Sequence, residues 1–506
     1  MRYFCPYMKF RSVLFLFSLA IIFFFGSCRT EKLYEGKDAK VNFSSDTVFF
    51  DTVFTTIGSS TRRLMIRNPY DQTLEVERVW IAGGSNSVFR MNVDGNATKD
   101  ASNISIAPKD SAFVFVEVTI DPSNANLPFV INDSIYISVN GNLQKVNLVA
   151  WGQNAYYYRP TQSISGLPSF SYLSEYGLNS NTVTWKNDKP HVIYGYLMVD
   201  SLLTLKVEEG VQIHLHKGSG MWVYRGGNIE AEGTTDNPII FQGDRLENYW
   251  EDNPGQWDRI WINGSDKDQT FNHVIFKNGF VGIQYEPFPF AEFPDRPTGK
   301  LVLKNTILQN FVGVGVLARN TAMKFENTVI SNCGTNNLAL LGGGDYEFIH
   351  CTFANYWTNG TRKDPLLVMT NYYEDLFGNE VYNKMDKAYF GNSIIYGTQD
   401  EEINFDFDEA TGYDYLFDHC ILRTETVFDE SFVNNISQPE PFLIVDGVTQ
   451  NSLFKEPSEF NFDIPEYSLA KDIGSSVIAS SLLQDIREND RNDGTPDIGA
   501  YEFKPE

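Results

Sequence analysis

The side chains best suited to chemistry gather between Tyr356 and Lys387. Trp357, Arg362, Lys363, Tyr372 and Tyr373 stand there among Asp364, Glu374 and Asp375. Aromatic faces stack on sugar rings, and guanidinium or ammonium groups pair with uronate or sulfate. The segment is therefore a candidate glycan-binding loop; the plainer reading is a lid whose aromatics pack on the scaffold. Hydrolysis or elimination on a sugar chain needs more, either paired carboxylates for acid–base work or a Lys/Arg base beside a carboxylate-neutralising ion. No column of acids recurs. Glu326 in Lys324-Phe325-Glu326 and Glu347 in Tyr346-Glu347-Phe348 come nearest. Each alternates with apolar neighbours, which turns it outward as solvated surface.

The remaining polar clusters are weaker. His214 and His216 alternate with Ile213 and Leu215, so both are expected on the outer side of one strand. Two ligands do not make a zinc site without a third. Asp406, Asp408 and Glu409 fail the calcium-loop spacing, because Ala410 stands where an oxygen ligand is required. No phosphate-binding glycine loop or nucleophile elbow is present. No catalytic residue, metal or cofactor is assigned on these patterns.

What must position these residues is a repeat. His273-Val274-Ile275-Phe276-Lys277-Asn278 is followed by Asn305-Thr306-Ile307-Leu308-Gln309-Asn310, Asn327-Thr328-Val329-Ile330-Ser331-Asn332 and His350-Cys351-Thr352-Phe353-Ala354-Asn355. Looser copies begin at Asn392 and His419. Asn310 and Asn332 are 22 residues apart, and Asn332 and Asn355 are 23 apart. A period of this length is one coil of a solenoid. The matched positions are β-branched or aromatic, so the coil is β. Stacked coils place Asn278, Asn310, Asn332 and Asn355 in a ladder, where side-chain amides bond one another and Asn accepts a left-handed corner. His273, His350 and His419 share the column of Asn305, Asn327 and Asn392 and are read as corner residues. Three insertions, Gln284 to Gly299, Tyr356 to Lys387 and Gln399 to Tyr413, must bulge from the coil, and function concentrates in such loops.

The chain has 506 residues and a formal net charge of −25. That charge argues against a nucleic-acid partner, which requires basic patches. Arg2, Lys9 and Arg11 precede an apolar run from Val13 to Phe25, which has the length of a signal h-region and is short for a spanning helix. The run ends in Phe25-Gly26-Ser27-Cys28, which resembles the bacterial lipobox with Phe where Leu is usual. The resemblance implies lipidation of Cys28 and a membrane partner through that anchor, in the cell envelope and at the outer membrane. Of the five cysteines, Cys5 would leave with the signal segment and Cys28 would carry lipid; the remaining Cys333, Cys351 and Cys420 are odd in number, a poor disulfide framework. Cys351 and Cys420 fall where Thr306, Thr328 and Ser393 stand in other copies, so buried packing is expected.

Before the repeat, strand-like runs separated by Asn68-Pro69, Gly83-Gly84, Asp121-Pro122 and Asn140-Gly141 occupy about 35–153. Seven short alternating strands predict an Ig-like β-sandwich, with a hairpin at Asn140-Gly141. The wording of Leu64-Met65-Ile66-Arg67-Asn68, Ile104-Ser105-Ile106-Ala107-Pro108 and Leu148-Val149-Ala150-Trp151-Gly152 resembles Ig-like domains of the abnormal-spindle/hydin type, which implies spacing or protein contact.

From His191 onward, Leu203-Thr204-Leu205-Lys206-Val207-Glu208-Glu209-Gly210 and Arg225-Gly226-Gly227-Asn228-Ile229-Glu230-Ala231-Glu232-Gly233 resemble the opening coils of bacterial right-handed parallel β-helix proteins of the pectin-lyase-like superfamily. Asp497-Ile498-Gly499-Ala500-Tyr501-Glu502 is similar to a C-terminal motif of secreted β-helix proteins. The expectation is thus an all-β chain: a signal segment over 1–28, an Ig-like sandwich over 35–153, a linker and cap over 154–190, and a right-handed parallel β-helix with a C-terminal cap over 191–506. The expected role is glycan binding or surface structure and adhesion. The alternative is a polysaccharide lyase or glycoside hydrolase working along the coil face, which the superfamily also includes.

Overall fold

The structure, a computed structural model, describes residues 32–121, 129–176, 181–291, 295–425, 430–445, 448–491 and 494–505. Cys28 and the signal segment lie outside the described residues. Among those described, no helix is long and apolar enough to cross a membrane. The chain divides into two compact units, 1–153 and 154–506.

The first unit holds two five-stranded sheets around one core. Thr47–Phe54, Asn142–Gln153, Phe129–Val139, Leu74–Ile81 and Asp100–Ile106 form one sheet in that order. Asn42–Phe43, Arg62–Arg67, Ser111–Val118, Phe89–Val93 and Asn96–Ala97 form the other. Alternation buries one side of each strand, and Phe50, Leu64, Phe89, Val114, Ile137 and Leu148 meet between the sheets. The two residues Asn140 and Gly141 join paired Val139 and Asn142 with φ of 46° and 78°, the left-handed pair that a two-residue hairpin requires. Phe89–Val93 is one of these strands, with Phe89, Met91 and Val93 alternating inward.

The second unit is a parallel β-helix with three faces. Face I runs through Phe170–Tyr172, Tyr196–Val199, Gly220–Val223, Ile260–Ile262, Ile283–Tyr285, the first halves of Val316–Glu326 and Leu338–Ile349, Leu367–Thr370 and Ile403–Asp406. Face II runs from Thr182–Trp185 through Asn228–Glu232 and Leu301–Lys304 to Met385–Gly391 and Leu416–Asp418. Face III runs from Tyr156–Tyr158 through Val274–Lys277, Ile307–Phe311, Val329–Cys333 and Thr352–Asn355 to Ile436–Ser437. Inward columns fill the core; one on face III stacks Phe241, Phe276, Leu308, Ile330, Phe353, Ile395 and Leu422.

Four expectations change. The coil begins at Tyr156, because the stretch read as linker supplies the first strand of every face. The insertions contain coil: Ile283–Tyr285, Leu367–Thr370 and Ile403–Asp406 are all strands of face I. The C-terminal segment is a strap along face III rather than an end cap. Its Leu453, Phe462, Ile464, Ile486 and Tyr501 cover the outward Val329, Ala354, Ile394 and Ile421.

The fourth change concerns the amide ladder. Asn310 donates to Asn278 Oδ1 at 2.7 Å, but Asn332 turns to the Pro457 carbonyl and Asn355 to Asn337 and the Cys333 carbonyl. The strap and a neighbouring turn supply better-placed acceptors than the next coil does. Asn278, Asn310 and Asn332 have φ of 66°, 64° and 53°, whereas Asn355 has no positive φ. The other corner carries the longer row. Asn305 donates to His273 Nε2, Asn327 to Asn305 Oδ1 and Asn392 to His350 Nε2, at 3.0–3.1 Å. All have φ between 44° and 49°. The small residue after each left-handed corner explains the cysteines. Thr306, Thr328, Cys351, Ser393 and Cys420 each reach back to the carbonyl two residues earlier. The three described cysteines are buried and unpaired, and burial pushes the Cys333 and Cys420 thiols up to about 12.

Candidate functional site

On face I the outward column runs through Trp222, Trp261, Gln284, Leu317, Ala339 and Val368, so its aromatic and polar members lie at the coils before Val316–Glu326. Trp222 and Trp261 occupy neighbouring outward positions in register and stack at 4.7 Å with their planes 13° apart. Parallel pairing at about 4.8 Å per coil forces this contact on any two aromatic residues in one column. Tyr224 and Phe288 pack edge-on beside them, and Phe290 stands against Trp261.

A polar row continues the plates across successive coils. Tyr196 Oη donates to Asp258, and Arg259 Nη2 meets Asp258 at 3.0 Å. Arg259 also donates to Gln284, whose amide donates to Glu286 at 2.6 Å. Glu286 further accepts from Trp261 Nε1 at 2.8 Å and pairs with Arg319 at 2.6 Å. Asp258, Arg259 and Arg319 are each a little over a quarter exposed, whereas Glu286 is buried. Among the described residues only Nη1 of Arg319 has a hydrogen-bonded protein partner. Its guanidinium lies 5.9 Å from the Tyr373 ring, and that ring closes over Gly342, whose φ of 68° and absent side chain leave it room. The row therefore offers one partly exposed indole, Trp261, backed by the buried Trp222, with two partly open guanidinium groups and a half-buried tyrosine on one wall.

The residues nominated from sequence do not meet in one loop, because the strand Leu367–Thr370 divides it. Trp357 is half-buried against Gly334 at the corner between faces III and I. Arg362 is not a surface cation: its side chain is 3% exposed and pairs with Glu402, which is fully buried. Its function is to hold the two corner loops together, which corrects its assignment to ligand binding. Lys363 is exposed beside it. Tyr372 and Tyr373 open a hairpin at the far end of the strand, where Tyr372 Oη donates to Asp406 at 2.5 Å. Of the five, Tyr373 alone joins the row on face I.

The other sequence candidates take structural partners. Glu326 lies between Lys304 at 3.1 Å and Lys324 at 2.8 Å, and Glu347 meets Lys387 at 2.5 Å. Burial alone would raise both carboxyls, but hydrogen bonds from Lys324 and Lys304 to Glu326, and from Lys387 to Glu347, outweigh it and hold both below the ordinary carboxylate range. Carboxylates held ionised in this way are poor general acids. His214, expected on the open surface, is buried with Nδ1 3.0 Å from the Gly243 carbonyl, and burial lowers its pKa. His216 remains exposed beside Asp244, whose hydrogen bond raises its pKa. Among the described residues, no group of three or more His, Cys, Asp or Glu side chains is placed to hold a metal ion. The signal that could have located the face I row is the match of Met221-Trp222-Val223 with Ile260-Trp261-Ile262.

Residues 177–273 match a family profile described as a pectate-lyase like beta helix domain. No curated protein matches the sequence. Two solved structures show local similarity at 10% identity and a TM-score of 0.17. One is a family 123 glycoside hydrolase from Clostridium perfringens, with 24% of this chain and 30% of that one covered. The other is the ASH/PapD-like domain 7 of human CEP192, with 25% of this chain and 94% of that one covered.

Proposed function

We propose that this chain is a lipid-anchored, glycan-binding protein of the bacterial cell envelope, tethered through Cys28 at the outer membrane, with its recognition surface on face I. In this reading the coil winds right-handed, as parallel crossovers do. The N-terminal pair of sheets is an Ig-like spacer. The observation that carries the proposal is the partly exposed Trp261, stacked on the buried Trp222, beside Arg259, Glu286 and Arg319. An indole next to fixed donors suits sugar rings, which present apolar faces and hydroxyl or carboxylate edges. Every carboxylate in the row is already held by a guanidinium, which supports binding over hydrolysis.

The test is a glycan array probed with the full chain in detergent, run beside a reducing-end release assay on the same sugars. The expected result is binding without release, weakened about tenfold by Trp261→Ala or Arg259→Gln in variants that a melting curve shows to be folded. Absence of glycan binding, or equal binding by both variants, would overturn the assignment to face I. Release of reducing ends would restore the lyase or hydrolase reading.

A further inference from the structure

The first unit grips the incoming chain at one end. Leu33 bridges to Thr73 in a parallel pairing, and the Tyr34 amide donates to the Thr73 carbonyl at 2.9 Å. Asn140 donates to the Tyr34 and Gly36 carbonyls at 2.9 and 3.0 Å. The Tyr34 and Tyr70 rings stack with centroids 3.7 Å apart, and Tyr70 Oη accepts from the Lys40 amide. Buried Asn68 clamps the loops at this end to each other, its Nδ2 donating to the carbonyls of Gln72, Ile106 and Ala107 at 2.8–3.0 Å. The result is a fixed tip on which Leu33, Gln72 and Pro108 are exposed. Its charges are mixed: Lys32, Glu35, Lys37 and Asp38 are exposed, and Lys109 meets Asp71 at 3.2 Å. Leu33 is the fifth residue after Cys28, so the two Cα atoms stand at most about 18 Å apart. The chain leaves the unit at the opposite end. Strand Asn142–Gln153 starts beside the tip, where Asn142 Nδ2 donates to the Lys37 and Ala39 carbonyls, and its length carries Gln153 roughly 36 Å away.

We propose that the short tether holds this tip against the phospholipid headgroup layer, so that the first unit stands on the membrane as a strut. The proposal rests on the anchoring of Cys28 given above and deepens it by naming the surface that meets the bilayer. Acyl chains fix Cys28 at the membrane surface, and five residues keep the pinned Leu33 within reach of it. An exposed leucine and a pair of tyrosines with polar ends suit the boundary between headgroups and acyl chains. Because lysines and carboxylates are interspersed on the tip, the seat does not depend on headgroup charge. Gln153, where the chain leaves the unit, is lifted clear of the headgroups.

The full lipidated chain is reconstituted in phosphatidylcholine vesicles carrying a rhodamine-labelled lipid, and energy transfer from a single attached donor reads its height above the bilayer. Donors are placed at Gln72→Cys on the tip or at Asn86→Cys in the turn at the other end. Both positions are exposed, and Cys333, Cys351 and Cys420 are buried. The Gln72 donor is expected at the headgroup layer and the Asn86 donor higher by roughly 20 Å, the rise of strand Leu74–Ile81. A flexible Gly/Ser linker of about twenty residues inserted between Glu31 and Lys32 should leave vesicle association intact and cut that difference by at least half. Equal heights for the two donors in a vesicle-bound chain, or a difference that survives the linker, would overturn the tethered seat and leave the anchor standing. A chain that does not associate with the vesicles would overturn the anchor and this proposal together.

Discussion

Arg362 and Glu402 face each other across two corner loops of the β-helix, with Nη1 2.6 Å from Oε2 and both side chains withdrawn from solvent. Glu402 also accepts from the backbone amides of Leu366 and Gln399. One carboxylate thereby fixes the entry to strand Leu367–Thr370 and the loop that begins at Gln399. A buried pair of this kind contributes little over an apolar substitute, but each partner is costly to leave alone.

Arg362→Ala should therefore destabilise the second unit by about 3–5 kcal/mol, because the Glu402 carboxylate would remain buried without its cation. Urea unfolding measures the loss. The double variant Arg362→Ala/Glu402→Gln should recover part of it, since the amide carries no charge. A near-neutral Arg362→Ala with reduced glycan binding would return Arg362 to a ligand-binding role.

Face III was legible in the sequence because both of its ends are marked. A left-handed Asn or His precedes each of its central strands, and after every such corner from Asn305 to His419 a small residue meets the carbonyl two residues back. Face I has no such markers. Its outward positions carry Trp261, Gln284, Leu317 and Val368 in register, so no period-two alternation separated its strands from the loops around them. That is why Ile283–Tyr285 and Leu367–Thr370 read as parts of insertions. The candidate site was hidden for the same reason: its members stand on different coils, one or two per coil, and only stacking brings them together. The strap was hidden too, because its apolar residues fit an end cap equally well until their partners on face III are known.

The two corner rows should differ in stability. Asn327 donates to Asn305 and to the Gln484 carbonyl and accepts from Arg491, while Asn332 donates to Pro457 and accepts from the Tyr356 amide. Both have left-handed backbones, with φ of 46° and 53°. Each change to Leu costs backbone strain of about 1–2 kcal/mol. Asn327→Leu also takes one acceptor from the buried Arg491, which keeps Glu502 and the Gly499 carbonyl, and leaves the Gln484 carbonyl without its donor, for a total of roughly 3 kcal/mol. Chemical denaturation of the two variants should rank Asn327→Leu as the worse; the reverse order would mean that the strap relaxes around the lost amide.

Cys28→Ser should release the chain from the membrane fraction. The proposed acyl chains attach at this thiol, and each buried methylene contributes about 0.8 kcal/mol to membrane binding. Fractionation followed by immunoblotting reads the outcome. A variant that stays with the membrane at unchanged size would assign the anchor to the apolar run Val13 to Phe25 instead.

His191 predicts a defined acid limit for the first coil. It is buried against Trp185, with ring centroids 4.2 Å apart, and its Nδ1 lies 2.8 Å from Tyr158 Oη. Burial depresses its pKa from 6.5 to about 4. The folded state therefore binds fewer protons than the unfolded chain between these values. The stability tied to a neutral His191 is complete above pH 6.5, falls as pH drops towards 4, and changes no further below it. The shift corresponds to about 3 kcal/mol. Glu502 works in the opposite sense, since burial raises its pKa to about 7 and stability gained from it grows as pH falls. The quantity to measure is thus the difference between wild type and His191→Gln, taken by urea unfolding at pH 7.5 and at pH 4.5. The wild type should lose its advantage at the lower pH. A difference that does not vary with pH would mean that His191 keeps its ordinary pKa in the folded coil, as it would if its ring reached water.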